Sequence, residues 1–191
     1  MNFSLKYRVW HWTLAISTIS LFITVILRKT WFSWQENSNI ILNIAHENKI
    51  NMSNNVAIEI AKTIRDNMWN THYILGFILL SAILLRIFII LKKEDNPPII
   101  KLLNTKNKQE KLKYFVHSGI CFFIMLITIT GFSILFKNNL GLSNDIAHIL
   151  KEIHEKTMIG LILFIGLHFA GIIKYEIKNK DSIISKMIFG K

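Results

Sequence analysis

The residues with the most chemistry to offer are histidines at the ends of apolar runs. His154 and His168 bracket one such run, fourteen residues apart, in "HEKTMIGLILFIGLH". On a helix that interval rises roughly 21 Å in just under four turns, so both imidazoles project to one side at opposite depths. His72 opens another apolar run and His11 stands near the start of the first. By depth, His72 can face His154 and His11 can face His168. Two imidazole pairs stacked across a helical core suit two six-coordinate haem irons. Zinc or copper wants three or four ligands at one level, and only Glu152 and Glu155 lie near the His154 end. A proton path, or a transporter built on buried histidines, uses single rings at separate depths and stays open as an alternative. Pairing at both levels favours haem.

Arg86 lies fourteen residues after His72 and so shares its face at the other depth, that of His11 and His168. A buried guanidinium needs an anion, which a haem propionate or a quinone pocket would supply; snorkelling to headgroups is the structural alternative. His117, at the same depth, is a competing ligand, a proton shuttle beside a quinone or, as readily, a capping or interfacial histidine. Gly76, Gly160, Gly166 and Gly171 are points where a flat macrocycle or a neighbouring helix can approach. His46 and His148 fall in polar loops and read as surface residues. No Gly-rich phosphate loop or internal repeat appears and nothing suggests a soluble catalytic domain, so no catalytic residue is assigned.

Four apolar stretches must position these groups: Val9 to Leu27, Tyr73 to Leu91, Tyr114 to Phe136 and Thr157 to Ile173. Each is close to the roughly 20 residues that cross a hydrocarbon layer of about 30 Å. With 51% hydrophobic side chains and a mean hydropathy of +0.36, the 191 residues are too apolar for an ordinary soluble domain of this size. The expected fold is all-α, one integral membrane four-helix bundle over residues 1–191, with helices about 9–27, 72–91, 114–136 and 154–173. The first segment reads as a retained helix, since no small-x-small cleavage site follows it. The single cysteine, Cys121, permits no intramolecular disulfide and reads as core packing.

All five tryptophans (Trp10, Trp12, Trp31, Trp34, Trp69) fall at segment ends, where indole rings prefer the headgroup level. The outer loop 28–71 contains "NNVAIEIAKTIRDNMW", whose Val56, Ile60, Ile64 and Met68 form one apolar stripe. It predicts a short amphipathic helix lying at the membrane surface, capping the bundle or docking a partner. Pro97 and Pro98 are expected to close the second helix. The net charge of +11 sits in loops rather than along one face, which argues for topology signals and against nucleic acid. Lys6 and Arg8, seven lysines from Lys92 to Lys113 and five from Lys174 to Lys191 outnumber the cations of the opposite side, fourteen against eight. That bias places both termini in the cytoplasm.

The chain resembles the bacterial cytochrome b561 proteins, whose four-helix di-haem core is shared with the membrane subunits of nickel-iron hydrogenases and formate dehydrogenases. The likeness rests on "VWHW", on "HYILGFILLSAILLRI", on "PPII", on "HSGICFFIMLITITG", and on "HEKTMIGLILFIGLH" followed by "KNKDSIISKMI", in this order and spacing. The resemblance implies haem b on the cytoplasmic side between His11 and His168, and on the periplasmic side between His72 and His154. It also implies a quinone site, a place in the bacterial inner membrane and its respiratory chain, and electron exchange with an outer-face donor or acceptor. Some relatives oxidise superoxide and reduce ubiquinone. Here the first outer loop is longer and the second shorter than in those members, which points instead to a periplasmic cytochrome c or dehydrogenase subunit as partner.

Overall fold

The computed structural model describes residues 3–92 and 95–190, so Lys93 and Lys191, two of the cations counted for topology, lie outside the described residues. Every regular element described is helical: α1 (Leu5–Lys29), α2 (Trp34–Glu47), α3 (Asn54–Leu91), α4 (Pro98–Asn104), α5 (Lys108–Leu135), α6 (Asn144–Asn179) and α7 (Ile183–Phe189). Four of them, α1, α3, α5 and α6, are long and apolar enough to cross a membrane. This is the element set that a four-helix membrane bundle requires. Their middle stretches expose apolar residues, for instance Ile16, Ile19 and Ile23 on α1, Phe122, Met125 and Ile129 on α5, and Ile159, Leu163 and Leu167 on α6. Water would penalise such faces and a hydrocarbon solvent does not.

Helix ends follow local side-chain chemistry. Ser143 caps α6 by accepting from the Ile146 N–H at 3.3 Å, with Asp145 in the first turn and Lys178 in the last, each charge complementing the helix dipole. Asn107 caps α5 through the Gln109 N–H at 2.9 Å, and Ser182 caps α7 through the Ser185 N–H at 3.1 Å. Gly190, at φ 80°, closes α7 in the left-handed conformation that glycine adopts without strain. The prolines do not stop the second long helix, which already ends at Leu91. Pro98 instead begins α4, at a first-turn position where no backbone N–H is needed.

The chain divides into two compact units, Met1–His11 with Ala82–Lys191, and Trp12–Ser81. In the second unit, residues 56–68 do not form a separate short helix. They are the opening turns of α3, because nothing between Met68 and His72 breaks the helix. The eighteen residues before His72 thereby add roughly 27 Å of rod. A further helix, α2, capped at Ser33, fills much of the first half of segment 28–71, which is expected from sequence to be loop. Small residues make the close contacts here: Ala57 and Ala61 are fully buried, with Ser38 and Ala45 buried on α2. The Lys62 ammonium sits 5.3 Å from the centre of the Trp34 ring. Of the expected apolar stripe only Met68 is buried, whereas Val56, Ile60 and Ile64 stay exposed.

In the first unit, antiparallel α5 and α6 lock by reciprocal aromatic–glycine contacts. The Phe164 ring of α6 covers Gly119 of α5, and the Phe123 ring of α5 covers Gly160 of α6, so a Cβ at either glycine would strike the ring. The two rings meet at 5.3 Å. Val116, Ile124 and Leu161 fill the same seam. Each helix thus spends one glycine on helix contact, as small residues allow in apolar solvent. Gly76, Gly166 and Gly171 meet no neighbouring atom within 4 Å of an added Cβ. The start of α1 joins this unit: Arg8 donates from Nη1 to the Ile188 carbonyl at 2.8 Å, and Trp10 donates from Nε1 to the Ala82 carbonyl at 2.9 Å.

Candidate functional site

At one end of the first unit α1, α5 and α6 bring three imidazoles together. The His11 and His168 ring centroids are 6.5 Å apart, and those of His117 and His168 are 5.1 Å apart. Tyr7, one turn before His11, stacks near it at 6.5 Å. The antiparallel pairing of α5 with α6 explains why His117 meets His168, since the two stand one step beyond the Gly119–Phe164 contact along the same seam.

These spacings test what the cluster can hold. Two imidazoles bound end-on to opposite faces of one iron, with metal–nitrogen bonds of about 2 Å, keep their centroids roughly 6.3 Å apart. The 6.5 Å between His11 and His168 fits that requirement; the 5.1 Å between His117 and His168 is too short for it. Among the described residues no group of three histidine, cysteine, aspartate or glutamate side chains is arranged to hold a metal ion. The pair offers two imidazoles, where a naked zinc or copper ion takes three or four ligands.

Arg86 sits beside this cluster. Its guanidinium lies 4.9 Å from the centre of the Trp10 ring and pairs from Nη2 with Asp95 Oδ2 at 2.7 Å, with only 13% of the arginine side chain exposed. Lys101 donates to the other carboxylate oxygen at 2.6 Å. Burial pushes the Asp95 carboxyl up, but the hydrogen bonds and charges of Lys101 and Arg86 outweigh it and hold it below its ordinary value. The anion that the sequence argument demanded for Arg86 is thus supplied by the chain. Asp95 escaped the sequence reading because it lies in a polar loop, nine residues from its partner, with no periodicity to mark it.

At the opposite end of α5 and α6, His154 Nδ1 lies 3.1 Å from Thr130 Oγ1. Beside it, a Cβ on Gly131 would come to 3.0 Å from His154 Cε1, so the ring rests in space that the glycine leaves. In the other unit, His72 Nδ1 lies 2.7 Å from Thr24 Oγ1, and the Trp69 ring packs edge-on to His72 at 5.7 Å. Both threonines are buried. Neither was singled out from sequence, because several serines and threonines punctuate the apolar segments and nothing distinguishes these two. Cys121 is half-buried midway along α5 with a free thiol. His148 forms an exposed contact with Glu152 at 3.6 Å.

Comparison with known proteins finds no match among curated proteins or solved structures. A family model described as prokaryotic cytochrome b561 matches residues 2–190, taking in all four long apolar helices and every histidine named above. With four membrane-length helices and a family match over nearly its full length, the chain belongs to the prokaryotic cytochrome b561 family.

Proposed function

We propose that the chain carries single electrons across the bacterial inner membrane through two b-type haems, between a quinone pool and a donor or acceptor at the periplasmic face. Family membership in itself implies haem-based electron transfer in a membrane. The number of haems, their ligands and the reaction partners are the further reading. The observation that carries it is the 6.5 Å between the His11 and His168 rings.

His11 and His168 would hold one haem on the cytoplasmic side, and His72 and His154 the other on the periplasmic side, on helical depth and family resemblance. Bound haem supplies reversible one-electron chemistry at iron. Held by two imidazoles each, His11 with His168 and His72 with His154, the haems would suit electron passage over oxygen chemistry. Quinone reduction also takes up protons. The His117 imidazole, next to His168, is the group to carry one at a ring nitrogen. Arg86, held between Trp10 and Asp95, keeps a positive charge at this level and braces the end of α3.

A docked partner is favoured over free-standing superoxide oxidation by the outer rod of α3, whose Val56, Ile60 and Ile64 are exposed. A periplasmic cytochrome c or dehydrogenase subunit suits such a surface. The test is a pyridine-haemochrome assay with dithionite difference spectra on the purified protein. Two b-type haems per chain, reducible by a quinol, are expected; no Soret band sinks the reading. Rapid superoxide-driven quinone reduction by the isolated chain would replace the docked-partner reading.

A further inference from the structure

The two threonine–histidine contacts share one geometry, and that geometry fixes a proton. Thr24 Oγ1 is 2.6 Å from the Leu21 carbonyl as well as 2.7 Å from His72 Nδ1. Thr130 Oγ1 is 2.8 Å from the Leu126 carbonyl and 3.1 Å from that of Ile127, as well as 3.1 Å from His154 Nδ1. A hydroxyl has one hydrogen and two lone pairs, and a carbonyl can only accept. Back-bonding to the preceding turn is the ordinary use of a threonine hydrogen in an apolar helix. Were the hydroxyl to donate to Nδ1 instead, hydroxyl and carbonyl oxygens would face each other at these distances with no hydrogen between them. The arrangement that satisfies every atom has Nδ1–H donating to the hydroxyl and the hydroxyl donating to the carbonyl. The lone pair of each ring is then on Nε2.

Resting on the haem reading above, we propose that Thr24 and Thr130 are positioning residues for the outer haem site. Thr24 accepts the Nδ1–H of His72, and Thr130, next to the Ile127 carbonyl that also hydrogen-bonds this ring, accepts that of His154, so that both rings present Nε2 to the iron in a fixed orientation. Gly131 completes the seat on the α5 side, since its missing side chain is what lets the His154 ring lie against the helix. A hydroxyl acceptor behind a ligating imidazole increases the electron donation of the ring and orients it. That favours ferric over ferrous iron and holds the potential of this haem down. The effect is local: His168, fourteen residues further along α6, is roughly 21 Å away along the helix.

Redox titration of the purified holo-protein, read optically and by the low-spin ferric EPR signals, tests this with Thr24→Val and Thr130→Val. Valine keeps the shape and removes the hydroxyl acceptor; the larger shift is expected for Thr24→Val, because the Ile127 carbonyl still faces His154 in Thr130→Val. The expected result is two haems per chain, with one redox wave moved to more positive potential, its EPR signal displaced and the other wave unchanged. Thr24→Ser and Thr130→Ser, which keep the hydroxyl, should restore the original wave. Loss of one haem in a valine variant that the serine variant retains supports the same role. Both waves unmoved in both valine variants, or valine and serine variants behaving alike, overturns the proposal. Failure of the underlying reading looks different: His72→Ala retaining two haems would remove His72 as a ligand, whatever the threonines do.

Discussion

Arg86 and Asp95 form a 2.7 Å ion pair that joins the end of α3 to the segment leading into α4. Lys101 closes the same carboxylate from the other side at 2.6 Å. The guanidinium is more buried than its partner, so removing the carboxylate strands a charge rather than merely deleting a bond.

Asp95→Asn is therefore expected to lower stability by about 1–3 kcal/mol at neutral pH, seen as a lower melting temperature in detergent. The pH dependence has a definite sign. Asp95 is held below its ordinary value in the folded protein, so its contribution is fully present above that ordinary value and is lost as pH falls through the folded one. The gap between wild type and Asp95→Asn should close on acidification and stay constant through the neutral range. A gap that widens in acid contradicts the pairing.

The reciprocal seating of Phe164 on Gly119 and Phe123 on Gly160 predicts an overpacking penalty. Gly119→Leu or Gly160→Leu should cost about 1–3 kcal/mol, measured by thermal denaturation. Gly119→Leu combined with Phe164→Ala should recover part of the loss, because the two sites share one space. Gly171→Ala meets no neighbour and should be neutral or slightly stabilising, as an alanine in a helix is favoured over glycine by roughly 0.5–1 kcal/mol.

Single replacements of the proposed ligands should each remove one haem and leave the other. His11→Ala and His168→Ala should abolish the same redox wave, and His72→Ala and His154→Ala the other, with haem per chain falling from two to one by pyridine haemochrome. Four variants sorting into any other pairing would reassign the ligands.

His117→Phe should keep both haems, because its 5.1 Å distance from His168 does not span an iron. Reduction by a quinol should slow by at least about tenfold if this imidazole carries the proton, measured by stopped-flow absorbance. Loss of a haem instead would make His117 a ligand.

The apolar blocks were enough to find the four long helices, since a membrane span is announced by length and composition. Their true ends were not legible: α6 begins at Asn144 and α3 at Asn54, because capping by Ser143 and an unbroken helical sequence decide an end, while hydropathy marks only the buried middle. That His11, His117 and His168 stand at one level was readable from depth; the 5.1 Å approach of the His117 ring to His168 was not. What sequence could not supply were partners set by tertiary contact: Asp95 for Arg86, Thr24 for His72 and Thr130 for His154. Each is a common polar residue whose role depends on a neighbour outside its own segment, and no spacing rule along the sequence encodes that.

The unbroken α3 has a mechanical corollary. Residues 54–71 and His72 belong to a single stiff rod with no hinge between them, so a torque applied at the exposed Ile60 and Ile64 is delivered to the imidazole instead of being absorbed in a loop. Load at the tip and the attitude of the ring are one degree of freedom.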